Sequence, residues 1–332
     1  MRNFNLDIIR CIAIIFVICI HSMGKLNECV NIPALEYNYI VYVFLSSIID
    51  MGVPLFLMLS GTLLLGKEEE PYFFLRKRFK RIFIPFFTWS IIVFYLDKIT
   101  SHQPLTLIQS STEFSIKFLT NGVHGIYWYI YMLIGLYLLT PIFQKVFKDI
   151  SSSLCNYTII LTILLIIIQH ITPPSYQKES LLFKYLFPYL IDIGYYIGGY
   201  YIYIYVHKYK YFQKLTVYGF LIFYLLRIIN IIQPFTAFPI LFFQSLFFFG
   251  ILLSMKRETT NSPKTTLVTF ISNTSYGIYL SHFLFISFLH KTRVEEAIPP
   301  YIVPILFTII TLCLEIGLQY SIRYCKLGKL LQ

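Results

Sequence analysis

Charge is scarce in this sequence. Only 13% of the 332 residues are Asp, Glu, Lys or Arg, while 57% are hydrophobic and 19% aromatic. Soluble domains carry about a quarter charged residues, so the deficit excludes water as the main solvent. Acidic residues are the scarcer sign, 16 against 27 basic, which leaves a formal charge of +11. The basic residues are scattered over short loops rather than gathered on one domain, which argues against a nucleic-acid partner. Cysteines are few, and Cys11, Cys19, Cys29, Cys155, Cys313 and Cys325 show no CxxC spacing. Most lie within or beside apolar runs, as small buried hydrophobes do, so neither a disulfide framework nor a metal site is expected.

What the chain does have is long apolar runs. They place spans near Asn5 to Gly24, Tyr37 to Leu65, Ile82 to Ile99, Ile126 to Phe147, Leu154 to Ile171 and Tyr185 to Val206. Four more follow near Phe212 to Ile232, Phe235 to Met255, Phe270 to His290 and Tyr301 to Tyr324. At roughly 20 residues per span, ten spans consume about 200 residues and leave no room for a soluble catalytic domain. The predicted fold is therefore all-α: one polytopic domain over residues 1–332, a bundle of about ten transmembrane helices. Any chemistry must sit between helices or on short loops, where an unpaired polar group is costly.

Ten spans put both termini on one side, and lysine and arginine choose which. With the N-terminus inside, the outer segments hold only Lys25, Lys98, Lys117, Lys178, Lys184, Lys291 and Arg293. Arg227 lies within a span, and the remaining basic residues are cytoplasmic, the bias expected of inner loops. Both termini are thus predicted in the cytoplasm. The first span resembles a signal peptide only superficially, because it lacks a small-residue cleavage site and carries Asp7 and Arg10. The longest outer loop, Lys98 to Gly125, contains Pro104 and several Ser and Thr residues and is a candidate cover for an external opening.

Intramembrane polar residues carry the functional signal. Asp7, Arg10 and His21 fall on one face of a helix, because eleven steps of about 100° make three turns plus about 20°. Asp7 and Arg10 are also spaced to pair. They read either as interfacial anchors with His21 a wet residue at the outer end, or as a polar stripe in which His21 transfers protons or acts as nucleophile. The run Arg76-Lys77-Arg78-Phe79-Lys80-Arg81 is a topology anchor, a site for a phosphate-rich ligand held by arginine forks, or both. Trp128, with its flanking tyrosines, reads in isolation as an aromatic belt. Ser275, Tyr279 and His282 follow i, i+4, i+7 spacing and form a second polar face. His282 is a second site residue or a helix-to-helix hydrogen bond. Arg227 lies deep in a span and should face a cavity or a carboxylate such as Asp192 or Glu315.

In order along the chain, the pieces resemble the membrane-bound acyltransferase type 3 family, in particular its O-acetyltransferases of surface polysaccharides and lipid-linked glycans. The resemblance rests on Asp7-x-x-Arg10 followed by His21, and on Val53-Pro54-Leu55-Phe56 to Ser60-Gly61. It continues through the basic run into Arg81 and Pro85, the Trp128 to Pro141 segment, and Gly277-Ile278-Tyr279 to His282. Family members often carry His-Leu-Trp in the fourth span. Here Ile126 and Tyr127 precede Trp128, and His124 lies outside that pattern.

The resemblance implies transfer of an acyl group, usually acetyl, from cytoplasmic acetyl-CoA to a sugar hydroxyl beyond the cytoplasmic membrane. It carries the essential histidine and arginine onto His21 and Arg10, and the arginine-bearing loop onto Arg78 and Arg81 as donor-binding residues. Asp7, Ser60, Trp128, Arg227, Tyr279 and His282 are further candidates. Acetyl-CoA enters as donor substrate, and no tightly bound cofactor is expected. Implied partners are acyl-CoA, an extracytoplasmic glycan or lipid-linked saccharide, and membrane lipids. The rival readings are a transporter or exporter of a glycan precursor, since ten spans with buried charges suit one equally, and a sensing or scaffolding domain without catalysis.

Overall fold

The computed structural model describes residues 3–24, 37–101, 107–120, 122–147, 152–172, 180, 186–208, 210–232, 239–255, 263–325 and 327–332. Cys29 and the side chain of Cys155 lie outside these residues. Among the described residues every regular element is helical. The order is α1 (Phe4–Ser22), α2 (Tyr37–Ile49), α3 (Gly52–Leu64), α4 (Pro71–Arg78), α5 (Ile84–Thr100), α6 (Leu107–Leu119) and α7 (Trp128–Val146). Then come α8 (Ser152–Ile171), α9 (Phe187–Lys208), α10 (Lys210–Ile232), α11 (Ile240–Ser254), α12 (Pro263–Lys291), α13 (Val303–Tyr324) and the short α14 (Gly328–Leu331).

Each apolar run expected to span is helical where it is described. Among the described residues, six helical stretches have the length and apolarity to cross a bilayer: Phe4–Ser22, Asn38–Leu64, Pro71–Thr100, Gly125–Val146, Tyr211–Ile231 and Val303–Tyr324. The protein is thus an all-α, multi-pass membrane protein. Helix α11 is apolar but short. Helix α12 is long but carries the Ser and Thr residues of the polar face read from the sequence.

Three details differ from the sequence reading. The second span is broken at Asp50 and Met51 into α2 and α3. The basic run is not a loop: α4 begins with Pro71 in its first turn and Glu70 as cap, the Glu70 carboxylate accepting from Phe73 N at 3.1 Å. Both are helix-start signals, and a π-helical turn, Phe79–Phe83, carries α4 into α5. The segment between Lys98 and Gly125 contains α6, docked on α5 by a 2.6 Å ion pair from Lys98 to Glu113, whose carboxylate also pairs within α6 with Lys117 at 3.0 Å. Those two ammonium groups hold the Glu113 carboxyl below its usual range.

Helix α1 is the axis of the bundle, packing against α3, α12 and α13. Its Ile9, Ala13, Ile14 and Ile18 are fully buried. Between helices in lipid, association rests on close packing and interhelical hydrogen bonds rather than on expulsion of water. The α3–α9 contact shows both. A Cβ on Gly61 would sit 1.7 Å from Tyr196 O, and one on Gly199 would sit 2.2 Å from Met58 O. The same approach lets Thr62 Oγ1 donate to Gly199 O at 3.0 Å. At the basic end, Gln144 Nε2 donates to Leu64 O at 2.8 Å, and the α14 segment folds back so that Trp89 Nε1 donates to Leu331 O at 3.1 Å.

Candidate active site

The basic end of the bundle opens into a cavity of about 580 Å³ between α1, α3, α4, α7, α9 and α12. Its wall combines residues that the sequence spreads over more than 270 positions: Asp7, Arg10, Ser60, Arg78, Arg81 and Tyr279 all line it. Among the described residues that line it, five are cations, Arg10, Lys67, Lys77, Arg78 and Arg81, against one carboxylate, Asp7, with Lys77 also 3.9 Å from Glu69. Such a lumen favours a multiply charged anion, and its apolar walls strengthen the attraction.

At the mouth, the Arg78 guanidinium lies 5.0 Å from the Phe74 ring centre and 5.9 Å from that of Tyr137, while its buried Nε has no hydrogen-bond partner. The two aromatic faces fix the plane of the fork and leave it to bind something else. Deeper in, Asp7 and Arg10 pair loosely at 3.8 Å. Ser272 completes the contact, donating to Asp7 Oδ1 at 2.6 Å and accepting from Arg10 Nη1 at 3.0 Å. Asp7 is buried and Arg10 half-buried, so the carboxylate steadies the guanidinium that faces the lumen. Ser60 donates to Phe56 O at 2.9 Å, a bond within its own helix that leaves its oxygen facing the cavity.

The far end of the cavity is walled by Tyr129 and Tyr279, whose rings lie 5.3 Å apart. The Tyr279 hydroxyl donates to Ile126 O, tying α12 to the start of α7. One turn beyond, the His282 ring centre is 5.7 Å from that of Tyr279 and 5.3 Å from that of His21. His21 and His282 therefore do not line the cavity but form a pair just past its tyrosine end. His124 is stacked on Phe283 at 3.9 Å and lies within electrostatic reach of both. Its Nδ1 accepts from Ile126 N at 3.4 Å, and burial pushes its imidazole below the usual value.

The remaining candidates lie elsewhere. Trp128 is 44% exposed on the outer surface of the bundle. Arg227 does face a carboxylate, but it is Asp50, at 2.6 Å, rather than Asp192 or Glu315. Asp50 sits in the break between α2 and α3, where the backbone ladder is already interrupted. Glu315 instead accepts from the Ser281 hydroxyl at 2.7 and 2.9 Å and from Gln319 Nε2 at 3.2 Å. Sequence reading missed Ser272, Tyr137, Lys67 and Gln332 of the cavity wall. Ser272 was within reach, because it continues the 275, 279, 282 face by one turn. Gln332 carried no signal.

The acyltransferase domain family profile matches residues 3–319, nearly the whole chain. The chain belongs to the acyltransferase type 3 family. It is accordingly a membrane acyltransferase, and the match spans every residue of the cavity except Gln332. No curated protein and no solved structure matches the chain.

Proposed function

We propose that this acyltransferase moves an acyl group, acetyl foremost, from cytoplasmic acyl-CoA to a hydroxyl of a surface polysaccharide or lipid-linked glycan. In this reading the chain makes ten spans in the cytoplasmic membrane with both termini inside. The cation-lined mouth then opens to the cytoplasm, and His21 lies toward the outer face.

The observation that carries this reading is the cavity's charge: five cations against one carboxylate among its described lining residues, with Tyr129 and Tyr279 in its wall and a histidine pair beyond them. Coenzyme A has matching anatomy, with phosphates at one end and a thin neutral arm ending in the thioester. Arg78, Arg81 and Arg10 would bind the phosphates, and the arm would run past Ser60 and Tyr129. Eleven residues of helix separate Arg10 from His21 by roughly 16 Å, a span suited to an extended arm.

At the tyrosine end, an acceptor hydroxyl is a poor nucleophile until a base takes its proton. The lone pair of His21 removes that proton as the oxygen attacks the thioester carbon. The new C–O bond forms, the C–S bond breaks, and the departing thiolate takes the proton back from the imidazolium. In the covalent variant, the His21 nitrogen attacks the thioester carbon, the C–S bond breaks and coenzyme A leaves as the thiolate; the hydroxyl oxygen then attacks the acyl-imidazole, the C–N bond breaks, and the hydroxyl proton passes to the thiolate.

The test is the O-acetyl content of purified surface glycan from cells with wild type, His21→Ala or no protein, at matched membrane levels. Acetyl found only with wild type supports the reading. Equal acetylation in all three removes acetylation of that glycan as the function.

A further inference from the structure

His282 is fully buried, and its Nδ1 lies 2.8 Å from Tyr279 O and 3.2 Å from Ile278 O. Both neighbours are carbonyl acceptors, so Nδ1 must carry the ring proton. In a neutral imidazole that leaves Nε2 as an acceptor only, and Nε2 has no hydrogen-bond partner. Both Nδ1 bonds return to the residue's own helix, at i−3 and i−4. They give no tie to another helix, so they do not account for a histidine here. What faces the ring is His21, with centroids 5.3 Å apart and planes tilted by 38°, together with His124, Tyr279 and Phe283. None of these is a carboxylate.

We infer that His282 is the positioning residue for His21: with the rings 5.3 Å apart and tilted by 38°, a small rotation lets the free Nε2 accept the N–H of the His21 ring and so fix which His21 nitrogen keeps the lone pair. This rests on the reading of His21 as the base or nucleophile of acyl transfer. A histidine works at one nitrogen only if its proton is held at the other, and an acceptor beside the ring decides which. In water-accessible sites a carboxylate commonly holds that proton. Among apolar helices a carboxylate would add a charge at high cost, whereas a neutral imidazole adds none. When His21 gains a proton from the acceptor hydroxyl, the N–H···N bond to His282 becomes charge-assisted and strengthens as positive charge develops.

Glutamine and asparagine separate the two ring nitrogens of His282. His282→Gln places an amide oxygen near the Nε2 position, and His282→Asn keeps a polar group near Nδ1 but none at Nε2. With surface-glycan O-acetylation as readout and membrane levels matched, His282→Gln is expected to stay within about threefold of wild type, while His282→Asn and His282→Ala fall at least about tenfold, the scale of one lost hydrogen bond. The apparent affinity for acetyl-CoA stays unchanged in all three.

A second readout needs no turnover. In ¹⁵N-histidine spectra of purified protein, with His21→Ala as the assignment control, wild-type and His282→Gln protein should show two distinct His21 nitrogens, one protonated and one bare. His282→Ala should show the averaged shifts of a tautomer mixture. The inference is overturned if His282→Asn outperforms His282→Gln, if all three match wild type, if Gln is as inactive as Ala, or if the His21 shifts ignore residue 282. If wild type itself acetylates nothing, the functional reading fails, and the spectra still judge the positioning.

Discussion

Ser272 sits between Asp7 and Arg10, donating 2.6 Å to the carboxylate and accepting 3.0 Å from the guanidinium, where the direct charge separation is 3.8 Å. The hydroxyl thus relays the hold of α1's acid on α1's base from a different helix, α12. Ser272→Ala removes the relay without touching either charge. A hydrogen bond to a charged group is worth about 1.5 to 3 kcal/mol, and only part of that sets where Arg10 points. We expect the KM for acetyl-CoA to rise about tenfold, with kcat nearly unchanged. A fall in kcat at constant KM would place Ser272 in the chemistry instead.

The helix contact that frames Ser60 gives a steric prediction. Gly61 meets the Tyr196 carbonyl so closely that an added methyl would lie 1.7 Å from its oxygen, and backbone cannot swing aside as a side chain can. Gly61→Ala must part α3 from α9, at the 1 to 3 kcal/mol typical of overpacking, roughly. Gly135, on α7, has nothing within 4 Å of where its Cβ would be. Gly135→Ala should be neutral or stabilising by about 0.5 kcal/mol, through the unfolded chain. Thermal unfolding of the two purified variants in the same detergent gives the comparison. Similar midpoints for both would show that α3 and α9 are not held in this close approach.

These two cases mark where sequence reading stops. Asp7, Arg10 and His21 lie on one helix, so the 3.6-residue period alone puts them on one face. The same period exposes Tyr279 and His282 on α12. Periodicity does not say which helices meet, so the pairing of His282 with His21 and the bridge from Ser272 to Asp7 appear only in three dimensions. Arg227 shows the same limit: its need for a carboxylate was legible, but Asp50 is 177 positions away, at a helix break that Gly52 and Pro54 signal without saying which helix packs there. The basic helix α4 was hidden for another reason. Its dense charge reads as loop, although Glu70 and Pro71 already spelled out a helix start.

The segment that carries α6 gives a pH prediction. Glu113 of α6 accepts from Lys98 and Lys117, which hold its carboxyl below the ordinary value. A carboxyl depressed in the folded state contributes stability that is present above its unfolded value and lost as pH falls through its folded one. The docking of α6 should therefore be constant through neutral pH and loosen in the acid carboxylate range. Hydrogen exchange over residues 107–119 should accelerate there in wild type. In Glu113→Gln it should already be fast at pH 7, and exchange that is slow and pH-independent in both proteins would show that α6 is held by its apolar face alone.

The Asp50–Arg227 pair makes the strongest demand on the bundle, because lipid surrounds what the protein does not cover. The two side chains are 33% and 20% exposed on the protein surface, and their 2.6 Å contact joins the break between α2 and α3 to α10. Removing one partner leaves the other charge unmatched. Arg227→Met should destabilise by roughly 2 kcal/mol, below the cost seen for fully buried pairs because both groups keep some exposure. Asp50→Asn alone should cost a similar amount. If the pair acts as a unit, the double variant will recover part of the loss, since neither charge is then stranded. Additive losses in the double variant would instead mean that each residue is held by other neighbours, and that the contact is incidental to the break in the second span.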